Sequence, residues 1–250
     1  MATCQSALPL VATLFDADGA EVARHPLGLL PRSHAQTVDV DAVLGAAGRA
    51  LPSGVGHPEL AHDFAYGGPL DGWHHALFRY EGRADGHAAD TSFGSYLFNL
   101  PIAIRGEPQS YAGAPPGLST RLFLRIGDRR EAETFCHLIY PASGPWHDRS
   151  STSLILIAAN GTEVARRQVP IPRNGSLHWR VGEVFAAPEL RRGEGGWILV
   201  RDATRRLFGY HGLLRHDGGF SLATCSGSDA PLLGTGRDRA LRSVPHARRP

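Results

Sequence analysis

Thirteen histidines in 250 residues are the richest source of chemistry in this chain. Imidazole ligates transition metals and moves protons near neutral pH. Successive side chains on a strand point to opposite faces, so two ligands reach one metal most easily at i and i+2. No His-x-His occurs in the sequence. His74 and His75 are adjacent and point apart, and His57/His62 and His211/His216 are separated by an odd step that also splits faces. His57-Pro58-Glu59 has the right step, yet it reads as part of a Pro/Gly loop. A set drawn from separate strands, His74 or His75 with His137 and His211, is the metal site left open. It defines the alternative reading, an enzyme with a His-based metal site between two repeats. The leading reading has no metal and no cofactor.

Other catalytic chemistry is less supported. There is no Gly-x-Ser-x-Gly elbow. Cys225 follows a strand-like run near His211 and His216, but an activated thiol also needs an electropositive, partly exposed setting. Asp63, Asp71, Glu81 and Asp85 are spaced like turn and edge charges rather than a glycosidase pair. Gly193-Glu194-Gly195-Gly196 precedes a strand instead of a helix and is no dinucleotide fingerprint. All 26 basic residues are Arg. Lysine-dependent chemistry is thereby excluded: the P-loop, the pyridoxal Schiff base and the kinase phosphate lysine.

Aromatic and Arg residues point instead to binding. The loop 141–153 (PASGPWHDRSSTS) carries Trp146, His147 and Arg149 in polar surroundings. Trp and Arg are the residue types that anchor interfaces, and long irregular loops are common sites of function. Trp73 adds an aromatic candidate. Phe78 with Tyr80, and Phe208 with Tyr210, share faces on matching strands and read as core. The expectation is a non-catalytic β-sandwich protein that holds a protein or carbohydrate partner through loops, with no membrane partner.

These residues must be carried by many short strands. Residues 15–24 (FDADGAEVAR) return as 157–166 (IAANGTEVAR). Asp18-Gly19 and Asn160-Gly161 are tight-turn dipeptides of the kind a two-residue hairpin needs, because Gly, Asn and Asp tolerate φ > 0. Residues 77–82 (LFRYEG) likewise resemble 207–212 (LFGYHG), each followed by an Asp-Gly turn at 85–86 or 217–218. Period-two patterning predicts strands at 10–15, 21–27, 36–40, 63–66, 73–80 and 92–100. In the second half it predicts them at 121–126, 134–140, 154–158, 163–171, 177–181, 197–202, 206–214 and 220–224. Asp39 or Asp41 can cap a short helix over 42–49, with 183–187 as a reduced counterpart.

The fold class is therefore all-β, a duplicated antiparallel sandwich of two closely packed repeats. The divisions are repeat one over 1–105, a Pro/Gly-rich crossing over 106–120, repeat two over 121–228, and an Arg-rich flexible tail over 229–250. Copy one lacks opening strands, so an unpaired edge could be completed by repeat two or by a second chain in a homo-oligomer. The hairpins and Pro-rich loops resemble, at fold level only, tandem immunoglobulin-like or fibronectin-like sandwiches of bacterial proteins. That resemblance implies fold and leaves function open.

Composition sets the remaining bounds. An apolar fraction of 42% and a net charge of +2 are ordinary for a soluble globular chain. No apolar run is long enough for a membrane helix, and the N-terminus has no basic region of a secretory signal. Cys4, Cys136 and Cys225 make neither a Cys-x-x-Cys pair nor an even set, so reduced cytoplasm is the expected compartment, with a Cys136–Cys225 bridge left open. The tail holds five Arg against two Asp without interleaved aromatics, so nucleic acid is not an expected partner.

Overall fold

The hairpin turns set the geometry of both halves. In the computed structural model, β1 (Ala7–Asp16) and β2 (Glu21–Pro31) pair antiparallel, and their register slips after Leu14 so that Phe15 faces Glu21. The structure describes residues 7–31, 35–63, 65, 71–82, 86–98, 103–104, 107–108, 120–141, 147–202 and 207–224; at 62, 71–74, 93–98, 103–104 and 107–108 the description is confined to the backbone.

A helix and three strands follow the first hairpin. These are α1 (Val40–Ala46), β3 (Gly56–His62), β4 (Asp71–Glu81) and β5 (Ala88–Phe98). The short pair β6 (Ala103–Ile104) and β7 (Glu107–Pro108) comes next. The second half contains β8 (Thr120–Arg125), β9 (Ala132–Ile139), β10 (Ser153–Ile157), β11 (Glu163–Gln168) and β12 (Ser176–Arg180). It ends with α2 (Val181–Val184), α3 (Ala187–Arg192), β13 (Trp197–Asp202), β14 (Phe208–Arg215) and β15 (Ala223–Thr224). The chain is all-β, and every sheet among the described residues is antiparallel. No helix among the described residues is long and apolar enough to cross a membrane.

β10 and β11 repeat the first hairpin's construction. Their register slips after Leu156, and Ile157 faces Glu163. Gly19 and Gly161 both have φ of +85°. The Gly19 N–H donates to the Asp16 carbonyl at 3.2 Å, and the Gly161 N–H to the Ala158 carbonyl at 2.8 Å. Only the glycine takes positive φ, since Asp18 and Asn160 do not. The connection is a one-turn loop closed by a glycine bulge rather than the two-residue turn expected from the dipeptides. In each half the hairpin's first strand is central and a third strand pairs on its far side, giving β2-β1-β3 and β11-β10-β13.

Two predicted elements lie elsewhere. Residues 36–39 lead into α1 as irregular chain, where Asp39 Oδ1 accepts the Ala42 N–H at 3.1 Å and caps the helix. The strand expected at 63–66 instead spans 56–62 and includes the segment read as a Pro/Gly loop. Among the described residues β3 pairs only with β1, with Pro58 opposite Leu14. An edge strand has no partner on its outer side, so Pro's missing N–H is tolerated there.

The largest core lies in the second half, between the sheets β11-β10-β13-β8 and β12-β9-β14-β15. Leu154, Leu156, Ile198, Val200 and Leu124 from one sheet meet Cys136, Leu138 and Trp179 from the other, with Phe185 and Leu190 from the helical segment. Cys136 is buried in this core, and the bridge left open to Cys225 falls outside the described residues. Cys4, Cys225 and the 229–250 tail lie outside the described residues, as does most of the 106–120 crossing. In the first half, Leu14, Ala23 and Leu44 form a smaller core that α1 covers.

The first hairpin rests on the second half. The Ser176 N–H donates to the Ala17 carbonyl at 3.1 Å. A Cβ at Gly19 would collide with the Arg173 carbonyl, whereas one at Gly161 would meet open space. Gly161→Ala should therefore cost about 1–2 kcal/mol from positive φ alone. Gly19→Ala has the same φ plus a backbone collision and should lose more stability. Urea denaturation of the two variants measures the difference, and equal losses would mean that the turn does not press on 173–175.

Candidate functional site

The exposed end of the 141–153 loop is held by buried hydrogen bonds. Asp202, at the end of β13, is fully buried. Its Oδ2 accepts the Ser151 N–H at 2.9 Å and the Thr152 hydroxyl at 2.8 Å. Ser150 Oγ lies 2.7 Å from Thr152 Oγ1 and accepts the Ile171 N–H at 2.9 Å. Nearer the loop's middle, the buried Tyr140 donates its hydroxyl to the His147 carbonyl at 3.0 Å. Arg149 forms an isolated bridge with Pro172, and the Arg173 N–H donates to the Asp148 carbonyl at 2.9 Å. His147 and Arg149 themselves are exposed. Trp146 lies outside the described residues. Trp73 is on β4, where only the backbone is described.

A second cluster occupies the layer between the halves. On β9 the side chains alternate: Cys136 and Leu138 enter the sandwich core, while Phe135 and His137 face the other way. His137 stands between His178 of β12 and Tyr210 of β14 in register. Its ring stacks on Tyr210 with centroids 5.1 Å apart and planes 7° apart. Tyr80 of β4 meets Tyr210 at 4.7 Å and shares a hydroxyl hydrogen bond with it. From the first half, His57 of β3 stacks on Phe15 at 5.6 Å.

Burial controls the electrostatics of this layer. His57 is 5% exposed and His137 2%. His57 Nδ1 and His137 Nε2 have no hydrogen-bond partner. Desolvation lowers His57 to about 4. It lowers His137 to about 3, with further lowering by the charges of His178 and His57. Both imidazoles are therefore neutral at pH 7. His178, at the exposed rim, is lowered first by desolvation and then by Arg180. Burial also raises the Glu59 carboxyl and the Tyr210 and Tyr80 phenols.

Of the four histidines considered as ligands, His137 and His211 do not share a face of their sheet. His211 pairs with Cys136, so it lies on the opposite face of the sheet from His137. His75 is exposed on β4, and His74 is described only by its backbone. Among the described residues, no three His, Cys, Asp or Glu stand where they could hold a metal ion. The rings that meet His137, those of His178 and Tyr210, and His57, whose charge acts on it, were missed as a group. The signal available was parity: once 56–62 is a strand, His57 falls on the Phe15 face. Asp202 carries no local signal, because its partners lie some fifty residues away in the chain.

Comparison with known proteins yields no match: no family model fits the sequence, and no curated protein or solved structure is similar to it.

Asp202→Asn keeps the shape and removes the charge that two donors address. It should cost about 1–3 kcal/mol of stability. It should also raise hydrogen exchange at the Ser151 amide. An unchanged urea midpoint with unchanged Ser151 protection would mean that Asp202 does not hold the loop.

Proposed function

We propose that this chain is a non-catalytic β-sandwich binding protein, built from two copies of one hairpin unit, which engages a partner through the 141–153 loop. The observation that carries this reading is the contrast within that loop. His147 and Arg149 are exposed, while the backbone beside them is tied to buried Asp202 and Tyr140. A loop already held in place loses little conformational freedom on binding. Arg presents a planar fork of donors that suits carboxylates, which favours a protein with an acidic surface over a carbohydrate. The matching bulged hairpins and the matching orders β2-β1-β3 and β11-β10-β13 support the duplication. Cytoplasm is the compartment that three cysteines with no Cys-x-x-Cys pair suit best.

The alternative, an enzyme with a metal site between the repeats, draws on one observation: His137 does lie in that layer, near His57. Metal analysis of the purified protein separates the readings, since stoichiometric metal surviving dialysis would favour the enzyme. For the binding reading, affinity capture and glycan arrays should be run with the wild-type protein, Trp146→Ala and His147→Ala/Arg149→Ala. We expect the captured partner to bind the variants at least about tenfold more weakly with Tm unchanged. Binding that survives all the substitutions would move the contact surface elsewhere. A large stability loss in Trp146→Ala would assign that side chain to packing.

A further inference from the structure

The contact between the halves has an unusual composition. Two buried imidazoles from different halves, His57 and His137, lie close enough for the charge of one to act on the other, and each has a ring nitrogen lacking a partner. Each is stacked on an aromatic ring of its own half, Phe15 or Tyr210. A neutral imidazole fits such a layer, whereas two cations there would repel each other in low dielectric. We propose that the layer is a pH-operated clasp: protonation of His57 and His137 releases the β2-β1-β3 sheet from the β12-β9-β14-β15 sheet while the second-half core stays folded.

The surrounding charges set the direction. From β12, His178 adds a like charge when protonated, with Arg180 beside it and Glu183 of α2 opposing. From β14 and β4 come the Tyr210 and Tyr80 phenols, both raised by burial and so neutral. On β2, Arg24 lies 3.7 Å from Asp63, and Glu21 faces Phe15 in register. Glu59 on β3 pulls the other way, because burial raises its carboxyl and the closed layer favours its protonated form.

The imidazoles outnumber it. Held below their ordinary 6.5, both take up protons when the layer opens. The closed state is therefore fully favoured above about 6.5 and weakens as pH falls toward 4 for His57 and 3 for His137. Two protons taken up on opening shift the equilibrium by up to about a hundredfold per pH unit.

Amide exchange resolved by NMR, corrected for the intrinsic pH dependence, tests the clasp on the full chain. The reporter is the Ser176 amide, which donates across the contact to Ala17. The controls are the β10 amides inside the second-half sandwich. Between about pH 7 and about pH 4.5, we expect Ser176 protection to fall at least about tenfold while β10 stays protected. His57→Phe and His137→Phe, made singly, should each weaken the acid response. If either variant fails to fold, the wild-type comparison alone decides. Unchanged Ser176 protection at low pH would overturn the proposal. So would loss of Ser176 and β10 protection together, or an acid response unaffected by the substitutions.

Discussion

The sheet β12-β9-β14-β15 is buried on both faces around β9, and that constraint shapes most of the molecule. Six of the eight β9 positions are buried, and they divide between two environments. Cys136 and Leu138 fill a dry sandwich core with Leu156, Ile198 and Trp179. Phe135 and His137 fill the layer shared with the first half. A one-residue slip would exchange the two sets and place an imidazole with an unpartnered nitrogen among leucines. The register of β9 against β12 and β14 is therefore specified from both sides.

The two faces contribute differently to stability. The sandwich core is aliphatic, with many side chains fully removed from water. The shared layer is aromatic and polar, and the unpartnered ring nitrogens of His57 and His137 carry a desolvation cost there, as the Trp179 indole nitrogen does in the sandwich core. Stacking of His137 on Tyr210 and the bond between Tyr80 and Tyr210 offset part of that cost. At one rim of the layer, His87 Nε2 lies 3.1 Å from the Phe220 carbonyl and its ring meets Phe220 edge-on. At the first hairpin, Gly19 and Gly175 allow the backbones of the two halves to approach more closely than a Cβ would permit.

What could be read in the sequence was local. The hairpins announced themselves because Gly at a bulge is a backbone requirement with a one-residue signature. Asp39 as a helix cap was legible for the same reason, since its bond to Ala42 spans three residues. β3 was hidden by Pro58, whose tolerance depends on the strand lying at an edge, a property of the sheet rather than of the segment. The histidine cluster needed two facts that no local pattern holds: that β3 pairs with β1, and that the first half lies on the outer face of β9. His211 looked equivalent to His137 in sequence, and a single step in parity places it on the other face. The loop reading fared differently. Exposure of His147 and Arg149 agrees with their polar surroundings, whereas the buried Asp202 that holds their loop is far from them in the chain.

The central claim is that the halves share one buried layer and so form a single cooperative body at neutral pH. Differential scanning calorimetry of the full chain at about pH 7 tests this most directly. A shared layer gives one transition whose calorimetric and van't Hoff enthalpies agree. Two resolved transitions, or a van't Hoff enthalpy well below the calorimetric one, would show that the halves melt independently and would contradict the account.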